Sequence, residues 1–254
     1  MIDLPSMYLI NLDRSVERLH LFRERNGHLP NVIRVAAADG RELDRDALLR
    51  SGYITGDLPY GPGALGCAMS HLRLWEMAAS QDKSITIFED DVIVSYQFEK
   101  KALEVLSNMP DDWAIIQWGY LFHPLFLWVN LGISKAKLLG YGARRYAGPE
   151  GLRRLHTEEV SAPVRLLHSF GLQGYSISAK GARAALEYCL PLRKRLIQFP
   201  EAGVTTPDEG IDCALCGLYP TLKAFICIPP LLIEGDEQNS IRRTIDKEAA
   251  IPSA

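Results

Sequence analysis

Apolar residues recur along this chain with two different periods, and the two patterns alternate from one end to the other. Short apolar runs have the length of β-strands, and Ile85-Thr86-Ile87-Phe88 is the clearest of them. Between the runs, apolar residues recur every three or four positions, as Val16, Leu19 and Phe22 do, which is typical of helices with one buried face. This alternation predicts an α/β fold, a Rossmann-like open sheet flanked by helices. The predicted strands are 8–12, 32–35, 85–88, 113–118, 175–177 and 224–228, and the main predicted helices are 67–80, 98–106, 179–190 and 208–218.

Residues 120–170 do not follow this alternation. An aromatic-rich run between Phe122 and Trp128 comes first, and six basic residues follow it. These residues are Lys135, Lys137, Arg144, Arg145, Arg153 and Arg154. We predict an irregular insertion at about 120–170 over an otherwise regular sheet. Apolar anchors beside cations are typical of a segment that contacts a membrane surface, but the same residues also suit an insertion that covers the core and whose arginines are solvated.

The composition is that of a globular protein and excludes several functional classes. Of the 254 residues, 47% are hydrophobic and 23% are charged, which argues against disorder and suits a single domain over 1–254. The net charge of −3 argues against nucleic acid as a partner, because phosphate binding requires a clearly basic surface. Residues 1–5 lack the basic and apolar regions of a secretory signal, and five cysteines suit reduced, buried thiols. We therefore expect a soluble, cytoplasmic protein.

Three adjacent acids, Glu89, Asp90 and Asp91, follow the clearest strand. Adjacent carboxylates repel one another unless a cation lies beside them, and carboxylate oxygens suit Mn²⁺ or Mg²⁺. The carboxyl end of a strand is also where open α/β sheets bind ligands. Because side chains alternate along a strand, we expect Glu89 and Asp91 to point one way and Asp90 the other. The alternative is an acidic, solvated turn before the next helix.

A glycine-rich segment, Gly61-Pro62-Gly63-Ala64-Leu65-Gly66, matches the dinucleotide fingerprint G-x-G-x-x-G and precedes a predicted helix. The fingerprint must leave a strand directly, whereas residues 54–60 are interrupted by glycine and proline. An NAD-dependent sugar-nucleotide oxidoreductase therefore stays an alternative function. A loop that leads into the N-terminus of a helix can also bind the phosphate group of a ligand other than NAD.

The predicted helix at 208–218 carries two further motifs. Cys213 and Cys216 form a CxxC inside the helix, which we interpret as two buried small residues rather than a redox or zinc site. Asp208, Glu209 and Asp212 lie at its start, where acids complement the helix dipole. One of these acids would act as a general base if it faced the acidic triplet.

Two other sets of residues allow both a binding and a packing interpretation. His71 is either a hydrogen-bond donor to an anion or a core histidine. Trp118 and Tyr120, on either side of Gly119, end a predicted strand and can stack on an acceptor sugar. Aromatic residues at a strand end are just as often part of the core.

The sequence resembles the family 25 glycosyltransferases, which build lipopolysaccharide oligosaccharides in bacteria and galactosylate collagen in animals. Six blocks of residues, which occur in the same order as in the family, carry this resemblance. The resemblance runs from Tyr8 to about Ser240. The blocks are Ile10-Asn11-Leu12-Asp13-Arg14 with Arg18; Ala38-Asp39-Gly40; Gly63-Ala64-Leu65-Gly66-Cys67-Ala68-Met69-Ser70-His71 with Trp75; Ile87-Phe88-Glu89-Asp90-Asp91; Gly174-Tyr175-Ser176-Ile177-Ser178 with Gly181-Ala182; and Asp212. Two positions depart from the family: Ala64 replaces its usual Glu, and Asn239-Ser240-Ile241 is the counterpart of its late Ser-Asp-Ile.

The resemblance implies a GT-A-type fold, a nucleotide-sugar donor and inversion at the anomeric carbon. It divides the chain into a donor-binding part at about 6–118 and an acceptor-side part at about 119–245. The implied donor-binding residues are Asn11, Leu12, Arg14, Arg18, Asp39, Gly40, Ser70, His71, Glu89 and Asp90. The implied metal ligands for Mn²⁺ or Mg²⁺ are Asp91 with Asp90 or Glu89. Asp212 matches the acid expected as general base, and Asp208 is the second catalytic candidate.

Three functions follow from these observations as hypotheses. The first is a metal-dependent inverting glycosyltransferase that moves a sugar, by default galactose from UDP-galactose, onto a glycan or lipid-linked oligosaccharide acceptor. Such an enzyme would work in the cytoplasm, in peripheral contact with the inner face of the membrane. The second is the NAD-dependent oxidoreductase that uses Gly61–Gly66. The third is a non-catalytic GT-A-like binding protein, and the intact acidic triplet argues against it.

Overall fold

A mixed sheet forms the centre of the described part of the chain. The structure is a computed structural model and describes residues 3–120, 127–138 and 160–235. The strands are β1 (Ser6–Asn11), β2 (Ile33–Ala36), β3 (Ile85–Glu89), β4 (Val92–Val94), β5 (Ile115–Gln117), β6 (Trp128–Asn130), β7 (Lys135–Lys137), β8 (Ala162–His168), β9 (Gly174–Ile177), β10 (Leu196–Phe199), β11 (Val204–Pro207), β12 (Ala224–Ile228) and β13 (Leu232–Glu234). The α-helices are α1 (Val16–Arg25), α2 (Arg45–Arg50), α3 (Pro62–Gln81), α4 (Phe98–Ser107), α5 (Ala179–Cys189) and α6 (Ile211–Cys216).

Nine of these strands form the central sheet, in the order β2-β1-β3-β9-β5-β12-β8-β6-β7. Strands β2, β1 and β3 are parallel neighbours, and β9 lies antiparallel between β3 and β5. Strand β12 is parallel to β5. The remaining neighbouring pairs, β12–β8, β8–β6 and β6–β7, are all antiparallel. The prediction of an α/β fold with a Rossmann-like open sheet is confirmed.

Both faces of the sheet are buried, and alternation along the strands divides the side chains between two cores. In β3, Ile87 belongs to one core and Phe88 to the other, and in β5 Ile115 and Ile116 are divided in the same way. Helices α3 and α5 cover the first face, while α1 and α4 cover the second. No helix within the described ranges combines the length and apolar character that crossing a membrane requires.

Helix α3 packs very closely against the loop after β2. A Cβ atom on Gly66 would lie 2.6 Å from the Ala38 carbonyl oxygen, and one on Gly40 would lie 1.7 Å from that of Pro62. Ser70 Oγ donates to the Gly66 carbonyl at 2.7 Å and accepts from the Ala38 N–H at 2.9 Å. Glycine is therefore required at both contacts, and Ser70 fixes the loop to the helix.

The segment 120–170 differs from the prediction of an irregular insertion. Its described parts contain β6, β7 and β8, which extend the sheet beyond β12. Strands β6 and β7 have only three residues each and are joined through Gly132, whose φ is +86°. Such short strands give no readable period in the sequence. Phe122, Arg144, Arg145, Arg153 and Arg154 lie outside the described residues, as do Asn239-Ser240-Ile241.

The CxxC motif lies in the core. Cys213 and Cys216 are both buried in α6, and burial raises the pKa of the Cys213 thiol to about 11. Burial also raises the pKa of Cys216 well above its usual value. Because the thiolate is the reactive form, neither residue suits redox chemistry. The interpretation of both cysteines as packing residues is confirmed.

A buried carboxylate at the β6–β8 end of the sheet gives the fold a testable pH dependence. Glu201 lies 2.7 Å from Lys135 Nζ and 2.5 Å from His168 Nε2. Burial alone would raise the pKa of Glu201, but hydrogen bonds from Lys135 and His168 outweigh it and lower that pKa to about 2. An acid whose pKa is lower in the folded state stabilises the protein above its unfolded pKa, and that stability is lost as the pH falls.

We therefore expect Glu201→Gln to lower the free energy of unfolding by about 2 kcal/mol at pH 7, because a charge-assisted pair is lost. The difference from wild type should shrink as the pH falls from about 4.5 toward 2. Urea unfolding over this pH range measures it, with exposed Glu99→Gln as the control variant. A difference that does not change with pH would contradict the assignment.

Candidate functional site

A cleft opens at the carboxyl ends of β1 and β3, which are adjacent and parallel. It is open to solvent, and the empty space within it, which includes this open side, is about 690 Å³. The turn after β1, the loop after β2, helix α3 and the acidic turn after β3 form its walls. The predicted site residues that line it are Asn11, Leu12, Arg18, Gly40, Ser70, His71, Glu89, Asp90 and Asp91.

Asp90 is held on both carboxylate oxygens. Arg18 Nε donates to Asp90 Oδ1 at 2.8 Å, and a terminal guanidinium nitrogen of Arg18 contacts the same oxygen. Asn11 Nδ2 donates to Asp90 Oδ2 at 2.7 Å. The Asp90 side chain is buried, and its charge is compensated by Arg18. Asp90 is therefore an anchor of the cleft. Glu89 and Asp91, which are contacted by His71 and Arg18 respectively, are the two acids that we test against a cation.

One carboxylate oxygen of Asp91 is buried and lacks a hydrogen-bond partner in the part of the chain that the structure describes. Its Oδ2 lies 3.1 Å from Arg18, whereas its buried Oδ1 has no hydrogen-bond partner among the described residues. Burial raises the pKa of Asp91 to about 7, and the negative charge of Glu89 adds to this effect. An unsatisfied buried oxygen beside a second carboxylate is what a hard divalent cation satisfies. Asp91 and Glu89 therefore fit Mn²⁺ or Mg²⁺.

A fourth acid reaches this region from the far end of the described chain. Strand β13 pairs with β4, with Glu234 opposite Val92, and the Gly235 N–H donates to the Asp91 carbonyl at 2.6 Å. The charge of Glu234 also raises the pKa of Asp91. Sequence analysis missed Glu234, because only the long-range pairing of two short strands brings it beside the triplet.

Arg34 on β2 fixes the orientation of Asn11. Arg34 Nε donates to Asn11 Oδ1 at 2.9 Å, and a terminal nitrogen of Arg34 donates to the Asn11 carbonyl at 3.2 Å. Because the amide oxygen accepts from Arg34, the amide nitrogen faces Asp90. Sequence analysis missed Arg34 as well, although a charged residue inside a predicted apolar strand was a signal.

His71 lies at the floor of the cleft in a chain of hydrogen bonds. Its Nδ1 is 2.8 Å from the Tyr175 hydroxyl, and its Nε2 is 3.2 Å from Glu89 Oε1. The Trp75 indole N–H donates to the same Tyr175 hydroxyl at 2.7 Å. His71 and Tyr175 are both buried. The histidine is therefore a core residue that also contacts an anion, the carboxylate of Glu89.

Arg14 and Asp39 pair with each other next to the cleft. Arg14 Nε lies 2.6 Å from Asp39 Oδ2, and this hydrogen bond lowers the pKa of Asp39. Neither side chain lines the cleft, although their neighbours Leu12 and Gly40 do. The pair joins the turn after β1 to the loop after β2.

The two catalytic candidates have different environments. Asp208 is fully buried, with the Tyr60 hydroxyl 2.5 Å from Oδ1 and Arg195 Nε 2.7 Å from Oδ2. Its carboxylate is occupied and does not line the cleft, so the assignment of Asp208 as a catalytic residue is corrected to a structural role. Asp212 does not line the cleft either; it is half-buried at the start of α6, and its Oδ2 accepts from the Gly171 N–H at 3.2 Å, so it stays a candidate.

The loop 169–173 connects Asp212 to the acidic turn. Gly171 has a φ of +88°, a conformation that favours glycine, and its N–H contacts Asp212. Two residues later, the Gln173 carbonyl accepts from the Glu89 N–H at 2.8 Å. Asp212 and Glu89 therefore contact the same short loop, at backbone groups two residues apart.

The predicted acceptor-binding residues are largely internal. Trp118 is fully buried, donates from Nε1 to Ser176 Oγ at 2.8 Å and packs edge-on against Phe98. It has no free face for a sugar, so this assignment is corrected to a core role. A Cβ atom on Gly119 would lie 2.4 Å from the Leu232 carbonyl oxygen, which indicates close packing. Tyr120 is half-buried and stays a candidate.

The glycine-rich fingerprint lacks the geometry of a dinucleotide motif. Helix α3 begins at Pro62, inside the fingerprint, and residues 55–61 do not form a strand. The close packing of Gly66 against Ala38 accounts for its last glycine. Ala64 is buried and does not line the cleft.

Comparison with known proteins gives a consistent result. The family model described as Glycosyltransferase family 25 (LPS biosynthesis protein) matches residues 4–198. A Glycosyltransferase 25 family member of Aedes aegypti is 30% identical over 125 residues, which cover 44% of this chain and 21% of the relative. Human procollagen galactosyltransferase 2 is 29% identical over 126 residues, 44% of this chain and 20% of the relative. A putative glycosyltransferase of Haemophilus influenzae is 29% identical over 126 residues, 49% of this chain and 36% of the relative.

The matched region spans about a fifth of the length of the insect and human relatives. The family model, in contrast, covers well over half of the 254 residues and includes the whole acidic turn and the lining of the cleft. On this match, the chain belongs to glycosyltransferase family 25.

Proposed function

We propose that this protein is a metal-dependent, inverting glycosyltransferase whose cleft binds a nucleotide sugar. UDP-galactose is the default donor, in keeping with the name of the human relative, and the acceptor is a glycan or lipid-linked oligosaccharide. One observation carries the proposal: a buried Asp91 oxygen that has no hydrogen-bond partner among the described residues shares with Glu89 a cleft at the carboxyl ends of two parallel strands.

The residues of the cleft and Asp212, which lies outside its lining, would have different roles in the reaction. Asp91 and Glu89 would hold Mn²⁺ or Mg²⁺, which when bound supplies positive charge for the leaving diphosphate. Arg18 compensates Asp90 and holds the acidic turn in place. Asp212 accepts the proton of the acceptor hydroxyl, which attacks the sugar from the face opposite the diphosphate. Attack from that face inverts the anomeric carbon.

A thermal-shift panel tests this proposal. The panel contains UDP, UDP-galactose, UDP-glucose and NAD, each with and without Mn²⁺. A ligand at 100 times its Kd stabilises the native state by about 2.7 kcal/mol, so specific binding raises Tm measurably. We expect the uridine nucleotides to raise Tm in the presence of Mn²⁺ only. A shift with NAD and none with any nucleotide sugar would instead select the oxidoreductase.

The contact of Arg34 with Asn11 gives a testable prediction, because Asn11 in turn positions the carboxylate of Asp90. Arg34→Leu leaves the buried Asn11 Oδ1 without its donor, so we expect a loss of about 1–3 kcal/mol in the free energy of unfolding. We also expect Mn²⁺-dependent UDP affinity to fall roughly tenfold, because Asn11 no longer holds Asp90 in place. Titration calorimetry and urea unfolding measure the two effects. Arg34→Lys keeps the charge but not the fork, and should recover stability more than affinity.

The hairpin β6–β7 supports a contact with the membrane surface. At its tip Ile133 is fully exposed and Leu131 is more than half exposed, and Lys137 is exposed on the adjoining strand. Apolar anchors beside a cation suit an anionic lipid surface. We expect wild type to co-sediment with phosphatidylserine-containing vesicles at low salt and the double variant Leu131→Ser/Ile133→Ser to lose this binding. Leu196→Ser/Val204→Ser, on the exposed hairpin β10–β11, is the matched control; equal binding by both double variants would contradict the assignment.

A further inference from the structure

A thiol lies in the wall of the cleft beside an imidazole and a carboxylate. Cys67 and His71 are one turn apart on α3, and Glu89 reaches them from the end of β3. The sulfur of Cys67, a ring nitrogen of His71 and a carboxylate oxygen of Glu89 all lie within 4.8 Å of one another. Within 3–120, 127–138 and 160–235, no other three side chains of these types come so close together.

We infer that Cys67, His71 and Glu89 form a second cation site, selective for thiophilic ions such as Zn²⁺. Sulfur, nitrogen and oxygen ligands together suit Zn²⁺, whereas the all-oxygen pair of Asp91 and Glu89 suits Mn²⁺ or Mg²⁺. Ligand atoms around a tetrahedral zinc ion lie roughly 3.5 Å apart, so the three side chains need only a small adjustment. Three protein ligands leave the fourth position open toward the cleft.

The hydrogen bonds behind His71 give this site its outer shell. The Trp75 N–H donates to the Tyr175 hydroxyl, whose own proton can go to His71 Nδ1, so that Nε2–H faces Glu89. When no ion is bound, this arrangement gives a partner to the indole N–H, the phenol O–H and both ring nitrogens of His71. To bind an ion through Nε2, the histidine moves its proton to Nδ1, which then donates to the Tyr175 oxygen, and the Tyr175 hydroxyl proton turns away from the ring. The imidazole stays neutral, and the proton released to solvent is that of the Cys67 thiol.

Occupation of this site would interfere with donor binding, an inference that rests on the proposed function. Glu89 belongs to both cation sites, and Cys67 lines the same cleft. An ion held by Cys67 and His71 therefore withdraws Glu89 from Asp91. Thiophilic ions should act as competitive inhibitors toward the donor complex, and the Cys67 side chain should determine sensitivity to them.

Cobalt titration of the full-length protein without nucleotide tests the site. We expect Co²⁺ to produce a thiolate-to-cobalt charge-transfer band that saturates at one ion per chain and disappears on addition of Zn²⁺. Calorimetry in two buffers should show about one proton released per Zn²⁺ bound, because the thiol must ionise. Cys67→Ser should lose the band and weaken Zn²⁺ binding by at least about 100-fold, since changes to outer-shell partners alone cost 10–100-fold.

Cys213→Ser and Asp91→Asn are the controls. Cys213 is buried in α6 and Asp91 is not part of the triad, so both variants should keep the band. The absence of a band in wild type, or its persistence in Cys67→Ser, would overturn the site. The titration uses neither donor nor acceptor, so it tests the cation site independently of the proposed function. If the protein showed the Cys67-dependent band but no transferase activity, the cation site would stand and the proposed function would fail.

Discussion

Asp91→Asn is expected to abolish the metal dependence of UDP binding and to lower turnover of the donor on the order of 10³-fold. The substitution replaces the Asp91 carboxylate, whose Oδ1 has no hydrogen-bond partner among the described residues, by a neutral amide. A neutral amide cannot balance the charge of a divalent ion. Metal ions contribute several kcal/mol to the stabilisation of a developing anion, and each 1.36 kcal/mol is a tenfold change in rate. Titration calorimetry of UDP with and without Mn²⁺ measures the binding effect directly.

The variant should fold. Burial and the charge of Glu89 raise the pKa of Asp91 to about 7, so removal of this carboxylate relieves a repulsion in the metal-free protein. We therefore expect the free energy of unfolding without metal to be unchanged or higher. Exposed Asp111→Asn is the matched control and should behave as wild type. UDP affinity that still rises with Mn²⁺ in Asp91→Asn would remove Asp91 from the cation site.

Asp212→Asn should lower kcat by about 10²–10⁴-fold while the KM for the donor stays near its wild-type value. This range is typical for loss of a general base, and a group that acts only in the transition state lowers kcat rather than ground-state binding. Asp212 is half-buried, and it contacts Gly171 in the loop whose Gln173 contacts Glu89. Initial rates of UDP release at saturating UDP-galactose provide the measurement.

Two other acids near α6 serve as comparisons for Asp212. Glu209 is exposed, and Glu209→Gln should keep full turnover. Asp208→Asn leaves the half-buried Arg195 without its anionic partner, so it should lower stability by about 3 kcal/mol but not the turnover of the folded fraction. If Asp212→Asn turned over donor as fast as Glu209→Gln, another group would have to accept the proton.

Local periodicity was sufficient to predict the centre of the fold. The runs that became β1, β3, β5, β9 and β12 are buried on both faces, and such strands appear in a sequence as continuous apolar segments. The acidic triplet ends one of these strands, so its place at the carboxyl edge of the sheet followed from the same pattern. Alternation did not predict how the three acids point: Arg18 contacts both Asp90 and Asp91, and all three acids line the same cleft, because Asp90 and Asp91 lie in the turn after β3, where the strand period no longer holds.

Features that depend on long-range contacts were not predictable in this way. Glu234 reaches the triplet through the pairing of β13 with β4, two strands of three residues each. Trp118 had an amphipathic side chain at a strand end, but only the packing of α4 shows that Phe98 covers it. From the sequence, Asp208 was an acid at the start of a predicted helix. Only the tertiary structure shows that Tyr60 and Arg195 contact its carboxylate.

UDP release from UDP-galactose, with and without Mn²⁺, tests most directly whether this cleft is a metal-dependent nucleotide-sugar site. The measurement compares wild type with Asp91→Asn and includes other nucleotide sugars in case galactose is not the transferred sugar. We predict release by wild type that requires Mn²⁺ and is lost in Asp91→Asn. Release that is independent of metal and equal in both proteins, or no release from any nucleotide sugar, would contradict the account.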